Sequence, residues 1–401
     1  MNISSSFLLL YSSIWLLTGC HSFENKKKVE NENDTVQLKL YPINSVPISV
    51  SKNIKRWTVK DFYSVDNLLL NKVDSIFNLL SINERAAQLI MPGTGRSKDF
   101  GLPFSKIIQL YKAKIIGGVL FLKGTRSLFI AEINKLKQAS KNAKILPPIF
   151  SCDCEPTLFH KKFTDADSMT VASELKTTND VMLSATAISK QMAKMGIHWN
   201  FAPVADISFN TEIINKRSFG SDTQQLVQKA IAFINSSADN NIVTTIKHFP
   251  GHGAVKGDSH RQLVYIDSTL TEVDNFKKII ASAKPISIMM GHIAIKNNSL
   301  YNTNSMPASL SNIIINELLK NKIGFSGIVI SDAMNMGAVK NIAGADYLAI
   351  LAGNDLVLMP QNVELLHKKL VKDLLSNTAQ KIKLEISIKK VLKLKICLNI
   401  I

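Results

Sequence analysis

Short apolar runs and longer amphipathic stretches alternate along most of the chain. Eight runs are mostly continuous in hydrophobicity, which is typical of strands that are buried on both faces of a parallel sheet. They lie at 87–91, 118–122, 148–152, 198–204, 243–247, 287–290, 327–331 and 355–359. The segments between them include three stretches with helical periodicity, at 128–141, 222–240 and 310–322. The pattern predicts eight strand–helix units.

The order of these elements favours one barrel. Eight parallel strands that alternate with helices close into a (β/α)8 barrel of the TIM type. We therefore predict an α/β fold with a single such barrel over residues 56–401, and a doubly wound sheet with a cap is the alternative. Ser81 and Glu84 have the Ser-x-x-Glu spacing of a helix capping box just before the first apolar run, so we expect a helix to begin there.

Polar residues follow five of the predicted strands at the point where the apolar run ends. In a barrel these positions open on the C-terminal face, where active sites are built. One such residue alone would more often be a solvated strand end, but five at corresponding positions indicate a site. The residues are Asp153, Asp206, Lys247 with His248, His292 and Asp332.

The most specific segment is Lys-His-Phe-Pro-Gly-His-Gly at 247–253, followed by Asp258, Ser259 and His260. Its histidines leave open a metal-dependent barrel hydrolase. A metal site in a barrel normally has a His-x-His pair on an early strand and converging carboxylates, and the sequence shows neither. The glycines also lack the Lys-Ser/Thr ending of a phosphate-binding loop. We therefore expect neither a metal nor another cofactor.

Together with motifs elsewhere in the chain, this segment resembles glycoside hydrolase family 3, specifically its β-N-acetylglucosaminidase branch. The resemblance spans about 81–395 and implies a (β/α)8 barrel that acts on a carbohydrate. Many members of the family carry a second α/β domain with the acid/base residue, and we expect none here, because the chain ends too soon to hold one. The further matching motifs, in the family's order, are Phe-Ala-Pro-Val-Ala-Asp at 201–206, Arg-Ser-Phe-Gly at 217–220, Gly-Ile-Val-Ile-Ser-Asp-Ala-Met at 327–334 and Leu-Ala-Gly-Asn-Asp at 351–355.

The resemblance implies catalytic roles for three residues. Asp332 corresponds to the nucleophile, whose carboxylate forms a covalent glycosyl-enzyme that water then resolves. His260 corresponds to the general acid/base and is paired with Asp258. Imidazole titrates near neutrality, and a neighbouring carboxylate can orient it for proton transfer. If His260 is not the acid, Glu155 is the first alternative.

The resemblance also implies which residues bind the sugar. Lys247, His248 and Arg217 match positions that hydrogen-bond the hydroxyls and the acetamido group, and Asp153 matches the carboxylate that binds the distal hydroxyls. For Arg217 alone, a surface salt bridge would be the simpler interpretation, but its Arg-Ser-Phe-Gly context favours the site.

Other positions leave alternatives open. Asp206 is either a substrate-binding residue or a structural acid, and for His292 we favour pocket lining or a hydrogen-bonded core position. The branch commonly has Asp-Gln-Glu-Gly-Gly after the third strand, with Arg eight residues past the Asp. This chain has Asp-Cys-Glu-Pro-Thr at 153–157 and Lys161 at the arginine position. Lys161 is expected to bind substrate there, although lysine lacks the bidentate fork of arginine.

The N-terminus has the outline of a bacterial lipoprotein signal. A mostly apolar stretch is followed directly by Leu-Thr-Gly-Cys at 17–20, so we expect residues 1–19 to be removed and Cys20 to carry a lipid. Residues 2–19 contain no Lys or Arg, and an ordinary secretory signal is the alternative. Residues 20–55 are expected to form a polar tether, which anchors the protein to a membrane at the periplasmic face or cell surface.

Composition narrows the choice of partners. Hydrophobic residues make up 46% of the chain, which allows a sizeable core, and 48 Lys and Arg against 31 Asp and Glu give a net charge of +17. Since the lysines are scattered, we expect no nucleic-acid partner. The four cysteines are too few for a disulfide framework. A monomer is favoured.

The leading hypothesis is a retaining exo-β-N-acetylglucosaminidase that acts on peptidoglycan fragments or other β-glycosides. A lipid-anchored glycan-binding protein with lost or weak turnover is the alternative from a different class, and a metal-dependent barrel hydrolase is the third. The altered residues after Asp153 favour the binding protein, whereas the retained Asp332, Asp258 and His260 favour the enzyme.

Overall fold

The computed structural model of the protein describes residues 55–95, 101–376 and 378–401. The predicted signal 1–19, Cys20 and all but the last residue of the predicted tether lie outside the described residues. In the described ranges, no helix is long and apolar enough to cross a membrane.

Parallel strands dominate the fold. Seven of them, in the order β2, β3, β4, β5, β6, β8 and β10, are neighbours in one sheet, and β1 pairs in parallel with β11. The strands of the described residues are β1 (Ile90–Met91), β2 (Gly93–Thr94), β3 (Gly118–Phe121), β4 (Ile149–Cys152), β5 (Trp199–Asn200), β6 (Val243–Phe249), β7 (Val264–Asp267), β8 (Ser287–Met290), β9 (Ile293–Lys296), β10 (Ile328–Ser331) and β11 (Val357–Leu358).

These two sheets close into a ring. Only Pro92 separates β1 from β2, so the two act as one barrel strand. At the other edge, Ser331 N–H donates to the carbonyl of Leu356 at 3.1 Å, and Val357 N–H donates to that of Leu89 at 2.9 Å. The predicted (β/α)8 barrel is confirmed, and each of the eight predicted runs overlaps one barrel strand. The doubly wound alternative is wrong, because such a sheet keeps two open edges.

Helices alternate with the barrel strands. The predicted stretches 128–141, 222–240 and 310–322 correspond to α4, α7 and a π-helix. The α-helices are α1 (Asn67–Leu79), α2 (Ile82–Ala87), α3 (Phe104–Lys112), α4 (Arg126–Ala143), α5 (Phe159–Lys162), α6 (Thr178–Met195), α7 (Thr223–Asp239), α8 (Val273–Ala283), α9 (Ala345–Ala352), α10 (Val363–Leu375) and α11 (Ala379–Cys397), and the π-helix is Ile313–Lys322. Short 3-10 helices lie at Val59–Asp61, Ala172–Glu174, Asn215–Arg217 and Ala308–Leu310.

The capping box predicted at Ser81 is confirmed at the start of α2. The N–H of Glu84 donates to Ser81 Oγ at 3.4 Å, and the N–H of Ser81 donates to Glu84 Oε2 at 3.0 Å. Two backbone donors at the helix start are thereby satisfied, which fixes where the chain enters the barrel.

A buried lysine closes the N-terminal end of the barrel. Lys395 of α11 is fully buried, and its ammonium donates to Gln88 Oε1 at 2.6 Å and to the carbonyls of Gly117 at 3.0 Å and Pro147 at 2.8 Å. These acceptors come just before β1, β3 and β4. Burial lowers the pKa of Lys395 to about 7.

Two strands lie outside the ring. β7 follows barrel strand β6, β9 follows β8, and the two pair in parallel. Val255, Val264 and Ile293 form a small separate core between this pair and the loop after β6. The loop that contains the Pro-Gly-His-Gly motif therefore packs against the β7–β9 pair outside the barrel. The sequence pattern did not predict this pair.

Candidate active site

A cavity of about 540 Å³ opens at the C-terminal ends of the barrel strands. Two other cavities, of about 550 and 650 Å³, contain none of the nine predicted site residues, so chemistry and not size distinguishes this one. Seven of those nine line it, namely Asp153, Lys161, Arg217, Lys247, His248, His260 and Asp332.

Asp332 directly follows β10. Its N–H donates to the carbonyl of Met290 on β8 at 3.0 Å, and its Oδ1 accepts the N–H of Ala333 at 2.7 Å. Burial alone would raise the pKa of Asp332, but the nearby rings of His248, His292 and His260 more than offset burial, so the pKa lies below its ordinary value. The carboxylate is therefore ionised at neutral pH, as a nucleophile must be.

His260 and Asp258 form a dyad. Asp258 Oδ1 accepts the His260 N–H at 2.8 Å and lies 2.7 Å from His260 Nδ1. Since a carboxylate only accepts, Nδ1 carries a proton and Nε2 is the atom that exchanges a proton with a substrate. Burial works to raise the pKa of Asp258, but the N–H and ring of His260 lower it below its ordinary value. The His260 side chain is 53% exposed, whereas that of Asp258 is 17% exposed and does not line the cavity.

Two buried side chains hold the loop that leads to this dyad. Asn210 Nδ2 donates to the carbonyls of Val255 at 2.8 Å and Gly257 at 3.0 Å, and it lies 3.2 Å from His252 Nδ1. Because an amide nitrogen does not accept, Nδ1 faces it without a proton, so His252 Nε2 carries the proton and donates to Ser259 Oγ at 3.0 Å. Burial lowers the pKa of His252 to about 4, so its ring is neutral in this position.

Glu272 holds the same loop through hydrogen bonds to its backbone. Its carboxyl oxygens accept the N–H groups of Gly253 at 2.8 Å, Ala254 at 3.0 Å and Ile207 at 2.7 Å. Burial, with repulsion from Asp206 added, raises the pKa of Glu272 to about 8. Glu272 ties the loop after β5 to the loop after β6.

An ion-pair cluster forms one wall of the cavity. Arg217 donates from Nε and Nη2 to the two oxygens of Glu155, both at 2.8 Å. Lys247 lies 2.6 Å from Glu155 and 2.9 Å from Asp153. Burial works against ionisation of both carboxyl groups, but the cations prevail, so the pKa of Asp153 lies well below its ordinary value and that of Glu155 is lowered to about 2.

The cluster contains a lysine that the sequence did not single out. Lys162 Nζ lies 3.2 Å from Asp153 Oδ2 and lines the cavity, whereas Lys161, predicted to replace the family's arginine, has its side chain exposed at the cavity wall. That Lys161 binds substrate stays a prediction, and the lysine that contacts Asp153 is its neighbour Lys162. Glu155 is 1% exposed and held by two cations, which argues against the alternative that it donates a proton.

Asp206 is fully buried and does not reach the cavity. Its Oδ2 lies 2.6 Å from His248 Nδ1, and its carboxylate accepts the N–H groups of His248 at 3.1 Å and His252 at 2.8 Å. Of the two alternatives for Asp206, its full burial and these contacts favour the structural acid. Asp206 orients the His248 ring.

His292 is a hydrogen-bonded core histidine, one of the two roles expected for it. It is fully buried, with Nδ1 2.7 Å from Ser309 Oγ and Nε2 3.0 Å from the carbonyl of Ala333. Burial lowers the pKa of His292. In the described part of the chain, no three His, Cys, Asp or Glu side chains are grouped so that they could hold a metal ion.

Residues 81–394 match the family described as the glycosyl hydrolase family 3 N-terminal domain. The chain belongs to glycosyl hydrolase family 3. The resemblance read from its motifs is thereby confirmed, and the match covers all of the residues that form the cavity.

Relatives within family 3 are similar over part of their length. The chain is 28% identical over 283 residues to beta-hexosaminidase A of Pseudoalteromonas piscicida, covering 64% of this chain and 47% of that protein. It is 34% identical over 213 residues to a beta-hexosaminidase of Haemophilus influenzae strain PittEE, covering 50% of this chain and 59% of that one. The alignments thus span about half the length of these relatives.

A solved structure supports the family 3 fold. The crystal structure of a glycosyl hydrolase of family 3 from Mycobacterium smegmatis superposes with a TM-score of 0.69 and 26% identity, covering 79% of this chain and 98% of that chain. The superposition therefore includes nearly all of that solved chain.

Proposed function

We propose that this chain is a retaining exo-β-N-acetylglucosaminidase, a β-N-acetylhexosaminidase that removes terminal β-linked GlcNAc. The observation that carries the proposal is that Asp332 and His260, the latter oriented by Asp258, line the same cavity of the barrel. The names of the two hexosaminidase relatives support the choice of sugar.

In the first step, the Asp332 carboxylate attacks the anomeric carbon while imidazolium His260 gives the Nε2 proton to the departing oxygen. The bond from the anomeric carbon to the aglycone oxygen breaks as the bond to the carboxylate forms. His260 is left neutral, and Asp258 stabilises the imidazolium form that is present before the transfer and that returns in the second step.

In the second step, His260 acts in reverse. Neutral Nε2 takes a proton from a water molecule, whose oxygen attacks the anomeric carbon and releases Asp332 as a carboxylate. Two inversions at the same carbon give net retention of configuration. The sugar leaves with a hydroxyl group at the anomeric carbon, Asp332 is again a carboxylate and His260 is again an imidazolium.

The ion-pair cluster is suited to binding the sugar hydroxyls. Asp153 and Lys247 both line the cavity, and each is held by further charges of opposite sign. A carboxylate fixed between two ammonium groups can accept hydrogen bonds from hydroxyls without being protonated itself. His248, held by Asp206, completes this wall.

Positive charge in the cavity favours an anionic aglycone. Five cationic side chains line it, against the two carboxylates of Asp153 and Asp332. The cationic residues are Lys123, Lys161, Lys162, Arg217 and Lys247. Peptidoglycan fragments carry lactyl and peptide carboxylates beside GlcNAc, and we propose them as the natural substrates on this ground. Lipid anchoring through Cys20 to a membrane, at the periplasmic face or cell surface, is proposed from the N-terminal sequence alone.

Hydrolysis of a chromogenic aryl β-GlcNAc by the purified protein tests the proposal. Wild type is expected to turn over, and Asp332→Ala and the isosteric Asp332→Asn to lose activity while keeping the wild-type melting temperature within a few degrees. A wild-type protein that binds the sugar without turnover would establish the glycan-binding alternative instead. Activity that survives in both Asp332 variants would contradict the proposed nucleophile.

A further inference from the structure

The loop that carries His260 and the loop that follows Asp332 are joined directly. The N–H of Gly337 donates to the carbonyl of His260 at 2.8 Å, and the N–H of Ala338 donates to that of Ser259 at 3.3 Å. These two backbone hydrogen bonds therefore connect the loops of the two proposed catalytic groups directly, and not through the barrel strands.

The approach at Gly337 leaves no room for a side chain. A Cβ atom there would lie 2.2 Å from the carbonyl oxygen of Arg261, 2.5 Å from its carbonyl carbon and 2.7 Å from the carbonyl oxygen of His260. All three atoms belong to the backbone, so no change of rotamer relieves the contact. The φ angle of Gly337 lies outside the left-handed region, and its own backbone conformation accepts alanine. The contact alone requires glycine.

The turn that carries His260 is held from a second side. Arg261 N–H donates to the carbonyl of Asp258 at 3.0 Å, which closes the turn, and Ser259 Oγ accepts from His252 Nε2 at 3.0 Å. The turn therefore lies between a buried histidine and the backbone of Gly337. By contrast, Asp332 is fixed to barrel strand β8 through the carbonyl of Met290.

We propose that Gly337 is a positioning residue, whose close contact with the 258–262 turn sets the position of the His260 imidazole relative to the Asp332 carboxylate. The effect on catalysis rests on the proposed function, whereas the contact between Gly337 and the turn does not depend on it. A methyl group at 337 displaces the turn and leaves Asp332 on its strand. Proton transfer is then impaired more than nucleophilic attack.

The kinetic test uses Gly337→Ala with aryl β-GlcNAc substrates of graded leaving-group pKa. The rate is expected to fall about 10²-fold for the poorest leaving groups, as for a displacement of roughly 1 Å, and only a few-fold for the most activated ones. The control is Gly118→Ala at the opposite end of the barrel, where a Cβ would meet Met91 Cε at 2.6 Å and Ile149 Cγ2 at 3.0 Å. It is expected to lower the melting temperature and to keep the wild-type dependence on leaving group. A Gly337→Ala loss that is absent, or equal across the series, overturns the proposal.

Trypsin provides a readout that does not depend on activity. Arg261, within the turn, has a side chain that is 86% exposed. Each protein is digested at the same number of degrees below its own melting temperature, and cleavage after Arg261 is followed by mass spectrometry. This cleavage is expected to be at least several-fold faster in Gly337→Ala than in wild type and Gly118→Ala. An unchanged rate shows that Gly337 does not hold the turn. An inactive wild type would overturn the proposed function, and this assay would still decide on the contact.

A second variant distinguishes the contact with Gly337 from the hydrogen bond to His252 on the other side of the turn. Ser259→Ala removes the bond from His252 and keeps the contact with Gly337, so it is expected to lose less than about tenfold in rate, evenly across the leaving groups. It remains informative if Gly337→Ala does not fold. A large loss in Ser259→Ala that grows with leaving-group pKa would assign the positioning to His252 and contradict the proposal.

Discussion

Nδ1 of His260 lies 2.7 Å from Oδ1 of Asp258, and the same oxygen accepts the backbone N–H of His260 at 2.8 Å. The two bonds fix both the tautomer and the direction of a ring whose side chain is otherwise half exposed. A histidine two residues after its carboxylate thus becomes a defined proton donor although it is carried by a loop.

Removal of the imidazole is expected to cost more as the leaving group becomes poorer. With His260→Ala, an activated aryl β-GlcNAc should lose far less rate in the first step than a natural disaccharide, because a nitrophenolate departs with little protonation. Since the second step still needs a base, the activated substrate should show a burst and then slow turnover. Asp258→Asn should lie between this variant and wild type. Rates across a series of aryl leaving groups measure the effect, and an equal loss across the series would remove His260 from the acid role.

Lys162 and Lys161 provide a matched pair. Lys162 contacts Asp153 at 3.2 Å, whereas Lys161 has its side chain exposed at the cavity wall. Lys162→Ala is expected to raise KM for an aryl β-GlcNAc by about tenfold, equivalent to roughly 1.4 kcal/mol, because Asp153 loses one of its two cations. Lys161→Ala should change KM by less than threefold with this uncharged aglycone. Steady-state kinetics of both variants decide the point, and a larger effect at Lys161 than at Lys162 would contradict the importance of the Lys162–Asp153 contact.

Lys395 should make stability depend on pH in a particular direction. Below about pH 7 the folded chain bears a buried charge, and between about pH 7 and 10.5 only the unfolded chain keeps that proton. The contribution of Lys395 to the free energy of unfolding therefore rises with pH, by about 1.4 kcal/mol per pH unit between these two values. Denaturant unfolding of wild type and Lys395→Met should diverge with this slope, while Lys383→Met, an exposed position on the same helix, should follow wild type. Parallel profiles for wild type and Lys395→Met would contradict the lowered pKa.

Cys20→Ala should move the protein from membranes to the soluble fraction and leave turnover of an aryl β-GlcNAc unchanged. The proposed anchor is separate from the residues that line the cavity. Fractionation with a salt wash measures the location, and the wash removes protein that is retained by its net charge of +17 alone. A variant that still sediments after the wash would contradict the lipid anchor.

The barrel was predictable because strands buried on both faces remain apolar throughout, and because polar residues directly after them mark one end of the ring. That Lys162 and not Lys161 contacts Asp153 was not predictable. Both lie in α5, a single turn in which each residue is rotated by about 100° from the last, so only the entry angle of that turn decides which ammonium group reaches Asp153.

The supports of the catalytic loop were also not predictable. Glu272 accepts from Gly253, 19 positions earlier in the chain, and Gly337 donates to His260, 77 positions earlier. Neither contact follows a helical or strand period, so the residues are indistinguishable in sequence from an ordinary loop acid and an ordinary loop glycine. The pairing of β7 with β9 likewise joins segments that are distant in the sequence.

The covalent intermediate on Asp332 is the central claim, and intact-mass analysis of His260→Ala mixed with an activated aryl β-GlcNAc tests it most directly. Slow resolution should let the protein accumulate with one added N-acetylglucosaminyl group, and peptide mapping should place that group on Asp332. The same mixture with Asp332→Asn should show no adduct. An adduct on a different carboxylate, or steady product release from wild type with no adduct in any variant, would contradict the account.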